Sequence, residues 1–242
     1  MPSPGAEPVA AAGGAEAAGG SARERRLARL RDARLYLCTP RRADEGDFLP
    51  AVLGGPQTPA VDLIQLREKG LEWRDEIAAL RRMLAAAQPA GAMVSANDRA
   101  DLAAFAGVDI LHVGQQDIPP RLARQIVGPD VLIGQSTHDP DQFLAALADP
   151  DVDYVCVGPV WATPTKPGRP PVGLALPRLA AQHAPPFAPG AKPWFVTGGV
   201  DADTLDAVLE TGARRVVVLR GITQAAAPAA AARALAARLR AA

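Results

Sequence analysis

Short apolar runs recur along the chain, and most are followed by a longer stretch whose apolar residues return every three or four positions. The runs are 35–39 (LYLCT), 61–66 (VDLIQL), 92–96 (AMVSA), 109–113 (DILHV), 131–135 (VLIGQ), 153–157 (DYVCV), 194–197 (WFVT) and 215–219 (RVVVL). Their nearly continuous apolar character suits strands covered on both faces, as in a parallel sheet. Stretches at about 73–88, 99–106, 119–127, 140–148, 174–183, 203–211 and 228–241 have helical spacing, and a weaker one falls around 47–54. Pro140 and Pro228 suit first-turn positions, while Gly107, Gly128 and Gly212 suit helix ends. Eight strand–helix units in roughly 210 residues match a (β/α)8 TIM barrel in number and length. A doubly wound open sheet is the competitor. It would carry a Gly-rich fingerprint after its first strand, where Thr39-Pro40-Arg41-Arg42 stands instead.

Ahead of the first strand the pattern changes. Residues 1–21 are mostly Ala, Gly, Pro and Ser with Glu7 and Glu16, the composition of a disordered tail. They have neither the basic start nor the unbroken apolar stretch of a secretory signal. Residues 22–242 are then expected to form one barrel domain. Its first helix begins near Ala22, with Leu27 and Leu30 on one face and arginines on the other. That helix could cover the bottom of the barrel or lie on its surface; both readings stand at this point.

Composition narrows the function classes. A hydrophobic share of 48% supports a large core, and a formal net charge of zero argues against nucleic acid or an anionic membrane as main partner. No apolar run approaches the roughly 20 residues of a membrane span. Cys38 and Cys156 stand far apart, each inside a predicted strand. They read as buried thiols in a reducing compartment rather than as a disulfide or metal site, so a cytoplasmic protein is expected. A homo-oligomer stays open.

In a barrel of this kind, chemistry sits on the loops that follow the strands. After the second strand, alternation would aim Gln65, Arg67 and Lys69 to one side. The third ends in Asn97-Asp98-Arg99, the fourth in His112-Val113-Gly114-Gln115-Gln116-Asp117, and the fifth in Gln135-Ser136-Thr137-His138. The sixth breaks at Gly158-Pro159 and runs through Thr163, Thr165 and Lys166, two hydroxyls and an ammonium suited to an anion. The last two end in Gly198-Gly199 and Arg220-Gly221, where barrels often bind phosphate on backbone amides.

Each feature has a structural alternative. Asn97, Asp98 and Asp117 could be helix caps, His112 a hydrogen-bonded core residue, Gly198-Gly199 a tight turn, and the Thr–Lys segment a surface loop. Six polar strand ends on one rim are harder to explain that way. Two carboxylates, Asp98 and Asp117, facing Arg67, Lys69 and Lys166 suit Mg²⁺ with a phosphorylated substrate, because Mg²⁺ takes one or two protein carboxylates and completes its shell with water and phosphate. Only three of the 26 basic residues are lysines, and two of them, Lys69 and Lys166, fall in this set. The three histidines lack zinc-ligand spacing, and no nucleophile–base pair is evident.

These motifs resemble those of the thiamine-phosphate synthase family. The matching pieces are QLREK (65–69), NDRAD (97–101), HVGQQD (112–117), IGQSTH (133–138), DYVCVGP (153–159), TPTKPG (163–168) and TGGV (197–200). The resemblance covers residues 34–225 or so and implies a (β/α)8 transferase. It would join hydroxymethylpyrimidine diphosphate to hydroxyethylthiazole phosphate and release pyrophosphate. By position, it assigns Gln65, Arg67, Lys69 and Asn97 to the pyrimidine diphosphate, and Asp98 and Asp117 to Mg²⁺. Ser136 and Lys166 would contact the pyrophosphate as the catalytic pair. Thr163 and Thr165, with Gly199, Leu219 and Arg220, would bind the thiazole phosphate. The chain departs from the family at Pro40, where Asp is common, in VTGGV where IGGI is usual, and at Arg220, which replaces a small residue. Two rival classes remain: a thiazole tautomerase moving a proton through a group such as His138, and a non-catalytic phosphate-binding regulator. Neither needs the full diphosphate set together with a second anion site.

Overall fold

The computed structural model describes residues 20–55, 58–163 and 170–242. Within them lie ten strands: β1 Leu35–Thr39, β2 Gly54–Gly55, β3 Thr58–Pro59, β4 Leu63–Leu66, β5 Met93–Asn97, β6 Ile110–Val113, β7 Leu132–Thr137, β8 Tyr154–Val157, β9 Trp194–Val196 and β10 Val216–Val218. Eight close into a parallel barrel in the order β1-β10-β9-β8-β7-β6-β5-β4, which is the expected (β/α)8 architecture. The antiparallel pair β2–β3 was not predicted, being too short to show any periodicity. The helices are α1 Ala22–Asp32, α2 Glu45–Leu53, α3 Trp73–Ala90, α4 Ala100–Ala106, α5 Pro120–Val127, α6 Pro140–Ala148, α7 Ala175–His183, α8 Leu205–Leu209, α9 Arg220–Thr223 and α10 Pro228–Ala241.

Alternation along the strands divides the core into two layers. Leu35 and Leu37 point outward and pack with Val94, Leu111, Ile133, Val155 and Val196 against the helices. Tyr36 and Cys38 point inward and join Leu63, Met93, Ile110, Leu132, Tyr154, Cys156 and Phe195 inside the barrel. Both cysteines are free and buried. The aromatic rings of Tyr36, Tyr154 and Phe195 meet edge to face with centroids 5.6–6.3 Å apart, filling the wide middle of the barrel. Among the described residues, no helix is long and apolar enough to cross a membrane.

Helix α1 closes the bottom of the barrel, deciding between the two readings of its amphipathic pattern. Leu30 is fully buried in the inner layer. The arginines reach the segments that enter successive strands: Arg29 to the Gly91 carbonyl, Arg26 to Asp109 at 3.0 Å and the Asp130 carbonyl, and Arg23 to Asp153 and the Pro129 carbonyl. Each carboxylate also ties strand to strand. Asp109 accepts the Val94 N–H, Asp153 the Ile133 N–H, and Asp62 the N–H groups of Arg34 and Leu35.

The helix starts on a capping box, in which Ser21 Oγ accepts the Glu24 N–H and Glu24 accepts the Ser21 N–H at 2.6 Å. Ser21 thus acts with α1, while residues 1–19 of the expected tail lie outside the described residues. Removing residues 1–19 is expected to leave melting temperature and activity nearly unchanged. Ser21→Ala should cost about 0.5–2 kcal/mol, as loss of an N-cap does. Thermal melts of the two variants beside the full chain check both outcomes.

Candidate active site

The C-terminal ends of the barrel strands open into a cavity of about 580 Å³. The first wall comes from β4 and the turn after it. Gln65 is buried, donating to Ser95 Oγ at 3.4 Å and accepting from Cys38 Sγ at 3.2 Å, so its amide is held before any ligand arrives. Arg67 and Lys69 follow at alternate positions and line the same wall. Pro40, where the resembling family commonly has Asp, is absent from the described lining residues.

The second wall is built by the ends of β5 and β6. Asp98 sits at φ 62°, left-handed backbone that Asp and Asn adopt more readily than most residues. Its N–H donates to the His112 carbonyl at 2.8 Å, and the next N–H, that of Arg99, returns to the Asn97 carbonyl at 2.7 Å. The Asp98 carboxyl lies beside that of Asp117. Burial, followed by the neighbouring Asp117 and its charge, raises it from the ordinary carboxylate range to about 6, against relief from Lys69 and Arg67. Asp117 also accepts the Gly114 N–H at 2.7 Å. Neither aspartate caps a helix: α4 begins from Arg99 and α5 from Pro119, without side-chain capping bonds. The capping alternative therefore fails at both positions.

Ser136 on β7 and the residues after β8, β9 and β10 complete the cavity. Ser136 Oγ lies 2.9 Å from His112 Nε2. His138 is held by its Nδ1–H, which donates to the Gly158 carbonyl, and by its main-chain N–H on Gln142. Gly198 and Gly199 turn at φ 95° and 74°, where a Cβ would meet Pro159 and Trp161 at under 3 Å, so the tight-turn reading of that pair is correct. The same turn also brings its backbone to the cavity.

Eleven expected site residues line this one cavity: Gln65, Arg67, Lys69, Asn97, Asp98, Asp117, Ser136, Thr163, Gly199, Leu219 and Arg220. Thr165 and Lys166 lie outside the described residues. Sequence reasoning passed over Tyr36, Cys38, Cys156 and Asp201, which also line the cavity. The two cysteines and Tyr36 occupy strand positions where they read as plain core. Gly134 was the available signal for the tyrosines. A Cβ there would come within 2.0 Å of the Tyr154 ring, so a glycine in mid-strand marks a large inward side chain on the neighbouring strand.

Comparison with known proteins shows the family and the fold. The family model described as thiamine monophosphate synthase matches residues 35–222. A thiamine-phosphate synthase of Acidothermus cellulolyticus is 54% identical over 218 residues, covering 89% of this chain and 99% of that protein. One from Mycobacterium bovis is 53% identical over 216 residues, covering 84% and 93%. Among solved structures, a thiamine phosphate pyrophosphorylase from Pyrococcus furiosus superposes with a TM-score of 0.72 at 23% identity, covering 88% of this chain and 98% of that one; at that identity it supports the fold alone.

Proposed function

The chain belongs to the thiamine monophosphate synthase family, a transferase of thiamine biosynthesis, and we propose that its rim cavity carries the joining of hydroxymethylpyrimidine diphosphate to hydroxyethylthiazole phosphate. The observation that carries this reading is the convergence of eleven site residues, from seven of the eight barrel strands or the loops after them, on one cavity. Arg67 and Lys69 bind the diphosphate, with Gln65 and Asn97 holding the pyrimidine end. Thr163 and Thr165, with Gly199, Leu219 and Arg220, receive the thiazole phosphate.

Asp98 and Asp117 fit Mg²⁺. They are all-oxygen donors held in contact, and their mutual repulsion is what a divalent cation would relieve. When bound, the ion would supply charge compensation for the pyrophosphate. The protein's own groups do the rest. As the carbon–oxygen bond breaks, positive charge spreads into the aminopyrimidine ring and negative charge grows on the leaving group. Arg67, Lys69 and Lys166 stabilise the latter. The thiazole nitrogen then attacks the methylene carbon, so no protein nucleophile is required.

Lys166 is expected to act more on the transition state than on binding, because the leaving group's charge rises during the step. Lys166→Met should lower kcat on the order of 10²–10³, the scale for one preorganised donor, with KM changed much less. Lys166→Arg should recover only part of the loss, since a planar guanidinium does not replace a compact ammonium. Thr163→Val should instead raise KM for the thiazole phosphate. Steady-state kinetics with each substrate varied in turn tests the assignment. A Lys166→Met enzyme altered only in KM would make the loop a passive anion clamp.

A further inference from the structure

Beneath the cavity floor a chain of hydrogen bonds runs through the barrel interior. Ser136 Oγ meets His112 Nε2 at 2.9 Å, His112 Nδ1 meets the Tyr154 hydroxyl at 2.9 Å, and Tyr154 meets Tyr36 at 3.4 Å. Tyr36 meets Ser95 Oγ at 3.3 Å, and Ser95 ends the chain on the Ala96 carbonyl at 3.2 Å. Strand register builds it, for His112, Gly134 and Tyr154 stand abreast on β6, β7 and β8, and Gly134 leaves room for the tyrosine ring.

The far end gives the chain a direction. A carbonyl can only accept, so Ser95 spends its one proton on Ala96 and must accept from its other neighbours. The Gln65 amide is a donor there too, at 3.4 Å. Tyr36 therefore donates to Ser95, and Tyr154 donates to Tyr36. The Tyr154 oxygen is left to accept from His112, which places the imidazole proton on Nδ1. Nε2 then accepts the Ser136 hydroxyl proton. Burial pushes both phenols well above their ordinary range, so they stay neutral donors.

We propose that Tyr154, backed by Tyr36 and Ser95, is a positioning residue that fixes His112 as the Nδ1–H tautomer and thereby makes Ser136 present lone pairs, not a proton, to the cavity. This rests on the family reading and deepens it. The resemblance alone sets Ser136 against the pyrophosphate, whose oxygens only accept. A serine turned acceptor-outward suits a donor instead, and the exocyclic amine of an aminopyrimidine is the donor this substrate offers. Its N–H groups become more acidic as the pyrophosphate leaves, so the contact strengthens in the transition state and acts on kcat.

The test joins spectroscopy and kinetics on the full chain. In ¹⁵N-histidine-labelled protein near neutral pH, the His112 signal, assigned by its loss in His112→Asn, should show a protonated Nδ1 and a bare Nε2. Tyr154→Phe should make that signal a tautomer mixture and lower kcat on the order of tenfold, with KM for the pyrimidine diphosphate nearly unchanged. Tyr36→Phe, one link further away, should have a smaller effect of the same kind. A protonated Nε2 in the wild-type protein overturns the proposal, and that measurement does not depend on how Tyr154→Phe or Tyr36→Phe folds. So does a Tyr154→Phe enzyme with kcat within twofold of wild type. A wild-type chain that makes no thiamine phosphate would instead remove the family reading on which the proposal stands.

Discussion

Asp98→Asn is expected to reduce Mg²⁺-dependent turnover on the order of 10²–10³-fold while raising the melting temperature of the ligand-free protein. The two effects share a cause. In the unfolded chain Asp98 would titrate in the ordinary carboxylate range, whereas burial and Asp117 raise it to about 6 in the folded protein. A carboxyl raised on folding favours the folded state only when protonated. Above pH 6 Asp98 is ionised, and its burial beside Asp117 opposes folding; as pH falls from 6 toward 4 the folded protein binds the proton first and gains stability. Asparagine removes the charge, accepts the left-handed φ and leaves the turn intact. With the site partly open to solvent, the gain at pH 7–8 should be on the order of 1 kcal/mol, or about 2–4 °C for a chain of this size. It should shrink below pH 6 and vanish near pH 4, where wild-type Asp98 is itself neutral. Mg²⁺ should raise the melting temperature of the wild-type protein and not of the variant. Melts across pH, with and without Mg²⁺, are the check. A variant less stable than wild type at pH 8 would show that an ionised Asp98 is not disfavoured in its site.

Asp153→Ala should be the most damaging single substitution at the opposite end of the barrel. The Asp153 side chain is 4% exposed and accepts from the Ile133 N–H at 2.8 Å, from Arg124 at 2.9 Å and from Arg23. Alanine would leave a buried N–H without its acceptor and take from Arg124 its nearer carboxylate, leaving it Asp151 at 3.8 Å and main-chain carbonyls. Breaking a buried pair from one side costs about 3–5 kcal/mol. Asp153→Asn keeps one acceptor and should cost less. Arg23→Ala should cost less again, because Arg23 is 29% exposed and Arg124 still neutralises the carboxylate. Denaturant unfolding of the three variants should rank them in that order, with rim chemistry unaffected in whatever fraction stays folded. A small loss for Asp153→Ala would mean that α1 holds the barrel floor by Leu30 and its packing alone.

These two residues also mark how far the sequence could be read. Asp98 was legible as chemistry because it stands at the end of an apolar run, opposite a basic set with the same placement. Its other reading, a helix cap, is dismissed only by the structure, in which α4 starts from Arg99 with no side-chain capping bond. Asp153 read as no more than a strand start. Its partners are Arg23, 130 residues earlier, and Arg124, 29 residues earlier, and no local spacing brings them together. The same limit hid the Ser136–His112–Tyr154 chain. Tyrosine inside a buried strand looks like core, and only the pairing of β6, β7 and β8 decides which inward side chains touch. Barrel strands follow from periodicity, closure from the count of eight units and the missing Gly-rich fingerprint, and the rim from the polar residues at the strand ends. Edges moved by a residue or two at aspartates such as Asp62, whose carboxylate binds the N–H groups of Arg34 and Leu35 while its backbone hydrogen-bonds Leu35 and Met93 just ahead of the strand.

The central claim is that this rim cavity makes thiamine phosphate. The direct measurement is to incubate the purified full chain with hydroxymethylpyrimidine diphosphate, hydroxyethylthiazole phosphate and Mg²⁺, and to quantify thiamine phosphate and pyrophosphate together. The expected result is one pyrophosphate for each thiamine phosphate, with product dependent on both substrates and lost on chelation of the metal or in Asp98→Asn. Absence of thiamine phosphate from the wild-type reaction, or its undiminished formation by Asp98→Asn, would contradict this assignment of the site.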